Sequence, residues 1–174
     1  MSVTLRPWTP DDVEVLFRVA AELETWEERT ARMPAPLTRE RFEAQLARTA
    51  GGDPAEAGVT FVVDVDGAAV GSATLFGLDW FAHHAEAGIS LLPEARGRGI
   101  GTTAITLLVE FAFLRCNLRR VHLQAIASNT GAIRAYEKAG FVVEGRLREH
   151  AWVRGAYEDV VLMGLLRADH LPAD

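Results

Sequence analysis

Cysteine is nearly absent: Cys116 is the one thiol in 174 residues. That excludes an intramolecular disulfide and a cysteine-based metal cluster. A reducing compartment, the cytoplasm, is the natural setting for such a chain. Cys116 lies in an apolar stretch of helical pattern, where packing outweighs nucleophilic chemistry. Long apolar runs are also missing. None would span a bilayer, and Met1–Pro7 has no basic head followed by an apolar segment, so neither a membrane anchor nor a signal peptide is expected. Positive charge is in deficit: 18 Lys and Arg against 24 Asp and Glu, a net charge of −6. Without a broad basic face a nucleic-acid partner is disfavoured, whereas a cationic partner such as an amine suits the field. No Gly-Lys pair occurs, which removes the P-loop of nucleotide hydrolases. Internal repeats and low-complexity segments are absent too.

What remains is an ordinary globular balance, 49% apolar and 24% charged residues. Such a length supports one domain with a real core, here residues 1–168, with 169–174 as a polar tail. The pattern predicts a strand over Val3–Arg6. Thr9-Pro10-Asp11-Asp12 opens a helix with Val13, Leu16, Phe17 and Ala20 on its apolar stripe. A charged segment, Glu22–Arg32, holds Trp26; Pro34 and Pro36 end it, and a second helix follows over Arg39–Ala50. Strands are expected over Val59–Val65 and Ala68–Leu78 around an Asp66-Gly67 turn, then over Ala85–Leu92. A long helix runs to Arg115, a strand covers Val121–Ala127, and a helix covers Thr130–Ala139. Phe141–Val153 and Tyr157–Leu166 form a last hairpin around Arg154-Gly155. Arg167–Asp174 is expected to fray. This order fits a mixed α+β fold with one central sheet.

The most informative stretch is Arg96-Gly97-Arg98-Gly99-Ile100-Gly101-Thr102, between the Ile89–Leu92 strand and the Ala104–Leu114 helix. Three alternate glycines leave the backbone bare, and the helix that starts there offers unpaired N–H groups and a positive dipole end. Phosphate is the expected ligand, with Arg96 and Arg98 adding charge. A dinucleotide-binding turn is disfavoured. Its Gly-x-Gly-x-x-Gly spacing exceeds Gly97-x-Gly99-x-Gly101 by one residue, and Arg119 and Arg120 stand where an acid is needed.

Arg96-x-x-Gly99-x-Gly101 resembles the diphosphate motif of the GNAT superfamily of N-acetyltransferases. Asn129-x-x-Ala132-x-x-x-Tyr136-x-x-x-Gly140-Phe141 is similar to that family's later helix and the strand beyond it. Glu144-Gly145-x-Leu147-Arg148-Glu149, with Asp159 and Met163-Gly164, looks like the RimJ/RimL branch; spermidine and antibiotic acetyltransferases lie nearby. The resemblance runs from Leu5-Arg6 to Leu166. It implies an α+β fold whose mostly antiparallel, splayed sheet of six to seven strands is flanked by about four helices. It implies acetyl-CoA as cofactor, with Ser90, Leu91 and Leu92 along the pantetheine arm. Arg96, Gly97, Arg98, Gly99, Ile100, Gly101 and Thr102 would surround the diphosphate, and Asn129 and Tyr136 would also contact the coenzyme.

The resemblance also makes Tyr136 the expected proton donor to the leaving thiolate; a core aromatic is the plain alternative. Asn129 is in any case a good helix cap. Glu86 shares a face with Gly88 and Ser90 by period two; the resemblance, in which some members keep a catalytic acid on this strand, makes it the expected base, with a paired strand carboxylate and a water chain as the alternatives. The resemblance places the acceptor pocket at Glu22–Met33 and Glu149–Tyr157, with Trp26, Glu27 and Trp152 as contacts. His83-His84 lacks the partners of a metal site, so no metal is expected. The expected acceptor is a protein N-terminal α-amine, with a small cationic amine (a polyamine or an aminoglycoside-like antibiotic) as the alternative. A non-catalytic acyl-CoA sensor is the reading from another class. A homodimer is a further expectation from the family.

Overall fold

The computed structural model describes residues 1–23, 26–27, 31, 35–53 and 58–171. Glu24, Glu28, Met33, Pro34 and the tail from Pro172 lie outside them, as does much of the charged segment. The strands are β1 Val3–Arg6, β2 Val59–Val65, β3 Ala68–Asp79, β4 His84–Leu91, β5 Arg120–Ile126, β6 Val142–Val153 and β7 Ala156–Leu166. The helices are α1 Val13–Ala21, α2 Arg39–Gly51, α3 Ile100–Leu114, α4 Thr130–Lys138 and the single turn α5 Arg167–His170. Short 3-10 turns precede α1 at Pro10–Asp12 and α3 at Pro93–Ala95.

The described strands form one sheet in the order β1-β2-β3-β4-β5-β7-β6. Every pair is antiparallel except β4 with β5, which run parallel. The mixed fold read from the sequence is therefore the fold observed. Period two sorts the side chains. Ala73, Leu75, Ala87, Leu123, Met163 and Leu165 face α3 and α4 in the main core. The buried stripe of α3 includes Ala104 and Ala112, small residues that let the helix lie close to the sheet, between Ile105, Leu108 and Phe113. Each of the large side chains contributes about 1.5–3 kcal/mol by leaving water.

On the opposite face α1 and α2 close over β2 through Leu16, Phe42, Leu46 and Val62. Further along that face Ala31 packs on Ile126, Ala151, Val153 and Val160. Between these patches Glu86 and His122 are half-buried and Gln124 is exposed.

Arg6 ties the first strand to its surroundings. Its Nη1 and Nη2 donate to Asp12 at 2.7 and 2.8 Å, and its Nε donates to Asp64 at 2.8 Å. Both carboxylates are buried. The guanidinium holds the Asp12 carboxyl far below its usual range.

One expectation needs correcting. Arg167–His170 form a helical turn rather than a frayed end. Arg167 N–H donates to Arg119 O, His170 stacks at 5.9 Å from Phe113, and Leu171 packs on the main core. An apolar residue at the far side of a short polar stretch held that stretch down.

Candidate active site

The glycine turn forms as the sequence predicts. β4 ends, Pro93–Ala95 turns, and α3 begins after Gly99. Gly97 and Gly99 have φ of +72° and +80°, where side chains are strained. Beyond the chain neighbours, no described residue comes within 4 Å of where a Cβ would stand on either residue. Gly99 is the N-cap residue of α3 and brings no side-chain cap. The first bond of this helix runs from Thr103 N–H to Gly99 O. The N–H groups from Gly99 to Thr102 precede that bond and point out of the helix end. These bare amides, with open space before them and no acid in the first turn, fit a diphosphate. Arg98 is exposed beside them. Arg96 Nε donates to Leu91 O at 3.1 Å, so this side chain ties the turn to the end of β4.

β4 pairs with β3 without a break from Leu91 to Glu86. With β5 it pairs at three positions only, His84 with Arg120, Ala85 with Val121 and Glu86 with His122. Past Glu86 the two strands part, and among the described residues no strand pairs with the β5-side edge of Ala87–Leu91. Ser90 and Leu91 lie on that parted stretch and Leu92 just beyond it, all three buried. Leu92 N–H donates to Val70 O, which fixes the strand end on its β3 side. A cleft of about 360 Å³ on the α1 side is lined by Phe17, Arg18, Leu92 and Pro93 among others.

The unbroken β3–β4 register keeps Glu86, Gly88 and Ser90 on one face, as the period-two reading has it. Glu86 Oε1 accepts from Gln124 Nε2 at 3.0 Å. Phe76, 38% exposed, is its register partner on β3.

Asn129 caps α4, its Oδ1 accepting from Ala132 N–H at 3.1 Å. Tyr136 is half-buried against the main core and 6.1 Å from the Phe141 ring. Gly140, with φ +99°, ends the helix: its N–H donates to Glu137 O and Phe141 N–H donates to Tyr136 O. That pattern is a Schellman cap, and it sets the Phe141 ring against Tyr136. The Tyr136 hydroxyl has no hydrogen-bond partner among the described residues. Burial pushes its pKa up to about 12, so it stays protonated at neutral pH.

The remaining candidates are arranged differently. Glu27 Oε2 lies 3.9 Å from Arg154 Nε, so the charged segment meets the β6–β7 turn as the pocket reading requires, but this carboxylate already has a cation. Trp26 is half-buried, and its N–H donates to Glu22 O. Trp152 does not join Glu86. Ala151 and Val153 turn to the Glu86 face and are buried, so Trp152 projects the other way, 59% exposed and edge-on to Tyr157 at 4.8 Å. Trp152 therefore lies on the sheet face opposite Glu86. His83 and His84 belong to no group of three potential ligands among the described residues.

Sequence reasoning missed His122, Gln124 and Phe76. The alternation of Val121, Leu123 and Ala125 already puts 122 and 124 on the other face. Only the adjacency of β5 to β4 brings them to Glu86.

Comparison with known proteins settles the family. Residues 2–142 match the model of the acetyltransferase (GNAT) domain. The chain belongs to the GNAT acetyltransferase family. A spermidine N(1)-acetyltransferase of Vibrio cholerae is 33% identical over 102 residues, 59% of each chain. The Escherichia coli K12 spermidine N(1)-acetyltransferase is 32% identical over 64% of this chain and 60% of its own. A putative ribosomal N-acetyltransferase of Bacillus subtilis, YdaF, is 33% identical over 66% of this chain and 60% of its own. The chain thus spans about 60% of the length of the curated relatives it matches. In three dimensions it resembles the spermidine N-acetyltransferase of Vibrio cholerae crystallised with CoA and spermine. The TM-score is 0.86 at 26% identity, covering 97% of this chain and 98% of that one. No described helix is long and apolar enough to cross a membrane.

Proposed function

We propose that this GNAT protein is a cytoplasmic, acetyl-CoA-dependent N-acetyltransferase whose acceptor is a small polycationic amine of the polyamine class. The observation that carries the reading is the parting of β4 from β5 at Glu86, with the bare start of α3 at the end of the same strand. Acetyl-CoA supplies a thioester whose acyl carbon accepts the amine nitrogen while the thiol leaves. The residues divide the remaining work. The amides from Gly99 to Thr102 hold the diphosphate. Ser90, Leu91 and Leu92 line the parted strand for the pantetheine arm, and Asn129 adds a contact beside its capping role. Tyr136, uncharged and unpartnered, gives its proton to the departing sulfur. Glu86 draws the acceptor ammonium to the sheet face beside Phe76. The polyamine class is favoured by the spermidine-acetylating relatives and by the net charge of −6.

A protein N-terminal α-amine, the acceptor first expected from the RimJ/RimL-like segment, is the second reading, favoured by the similarity to YdaF. A homodimer through β6 is part of the proposal, since this edge strand exposes Val142 and Val143.

Thiol release measured over spermidine, spermine, an aminoglycoside and peptides with free N-termini tests the assignment. The polyamines should give the highest kcat/KM. Turnover confined to peptides would move the assignment to the second reading, and CoA binding without thiol release on any amine would leave only a sensor. Tyr136→Phe should lower kcat by about 100-fold with CoA affinity unchanged; unaltered kcat would remove Tyr136 from the mechanism.

A further inference from the structure

His122 is the register partner of Glu86 at the last paired position before β4 and β5 separate. Both are half-buried on the same sheet face, and Gln124 two residues on holds Glu86 from the side. The His122 ring stands edge-on to His84 with centroids 5.3 Å apart. Its nitrogens have no hydrogen-bond partner among the described residues. The charged and titratable groups around it are Glu86 and His84 on β4, Arg120 on β5 and Glu144 on β6. Arg120 is held by Glu144 through two bonds of 2.5 Å. Burial pushes the imidazole below its usual pKa; Glu86 and Glu144 pull it back up, while Arg120 and His84 push it down. His122 is therefore neutral at pH 7, with a lone pair free to accept a proton.

We propose that His122 is the group that takes the proton from the acceptor ammonium, while Glu86 holds that ammonium and stabilises the imidazolium that forms. The inference rests on the acetyltransferase reading above. In the step, one N–H bond of the ammonium breaks and its electron pair stays on nitrogen for the attack. The proton goes to a ring nitrogen of His122, which passes it to water on the open side of the sheet. An imidazole is by its nature a stronger base than a carboxylate, so the ammonium gives up its proton to it more readily. The parted strands give room for the ammonium, and Phe76 supplies an aromatic surface next to Glu86.

Two measurements on the full chain test this. The first is an NMR titration of the His122 ring in the wild type and in Glu86→Gln. The second is the pH profile of kcat/KM with spermidine for the wild type, His122→Gln and Glu86→Gln. His122 should titrate below 6.5, and Glu86→Gln should lower that value further by removing the facing negative charge. The acid limb of the wild-type profile should coincide with the His122 titration and follow it downward in Glu86→Gln. In His122→Gln that limb should vanish and kcat should fall by about 100-fold, with CoA still bound and KM for the amine changed far less. Glu86→Gln should chiefly raise KM.

An unmoved acid limb in His122→Gln, or a His122 titration blind to Glu86→Gln, overturns the inference and leaves the acetyltransferase reading standing. A wild type that releases no thiol on any amine overturns that reading first, and the inference with it. Should His122→Gln fail to fold, the parallel shift of titration and limb in Glu86→Gln decides.

Discussion

Two kinds of helix start stand side by side in this molecule. Asn129 closes α4 with its own side chain, and Thr38 does the same for α2 by accepting from Arg41 N–H at 3.3 Å. The turn before α1 is closed more tightly still. The Asp12 carboxylate accepts from Thr9 N–H and Oγ1 at 2.8 and 2.9 Å and is itself gripped by Arg6. Helix α3, the longest of the described helices, begins on a glycine with no cap. A glycine in the cap position costs only about a few tenths of a kcal/mol against a capping side chain. A buried central helix can bear that cost. The closed starts draw their caps from side chains nearby, and the start of α3 has none; the proposed function gives that difference its purpose.

Replacing Gly99 by Phe should have the largest effect, filling the space before the amides and abolishing measurable CoA binding. Gly99→Ala separates occlusion from backbone strain. It carries the same positive-φ penalty, about 1 kcal/mol, with one methyl in the way, and should keep part of the affinity by calorimetry. Undiminished binding by Gly99→Phe would erase the distinction between the two kinds of start.

Arg6→Ala attacks a closed start. It leaves Asp12 and Asp64 buried without their cation and should cost about 3–5 kcal/mol in denaturant unfolding, with the cofactor site intact in whatever stays folded. The sign with pH follows from the depressed Asp12 pKa. The contribution is complete above the unfolded Asp value near 3.9 and is lost as pH falls below it. The wild type should therefore lose stability in that acid range more steeply than Arg6→Ala, and equal slopes would show the pair to be inert.

Asn129→Ala should have the smallest effect, about 1 kcal/mol of stability. If CoA affinity falls as well, Asn129 has a binding role beside its structural one.

Much of this arrangement was legible in the sequence, for physical reasons. Glycines that need positive φ, a cap residue before an amphipathic run, and a Gly-Phe pair after it are local signals, and the turn at 96–102 and the α4 unit follow from them. The period of β4 put Glu86 on the right face because no bulge interrupts it. Trp152 was not placeable, since the β6–β7 register shifts between Leu147 and Ala151, with Glu149 at φ +50°. Such a shift decides which face a later residue takes. His122 and Gln124 were invisible as site residues for a different reason. Their meeting with Glu86 depends on three parallel register pairs formed by strands far apart in the chain, and no local pattern encodes that contact.

The most direct measurement is a crystal structure of the chain with coenzyme A. It should place diphosphate oxygens about 3 Å from the main-chain nitrogens between Gly99 and Thr102. A coenzyme seated elsewhere, with those amides facing water, would contradict the account.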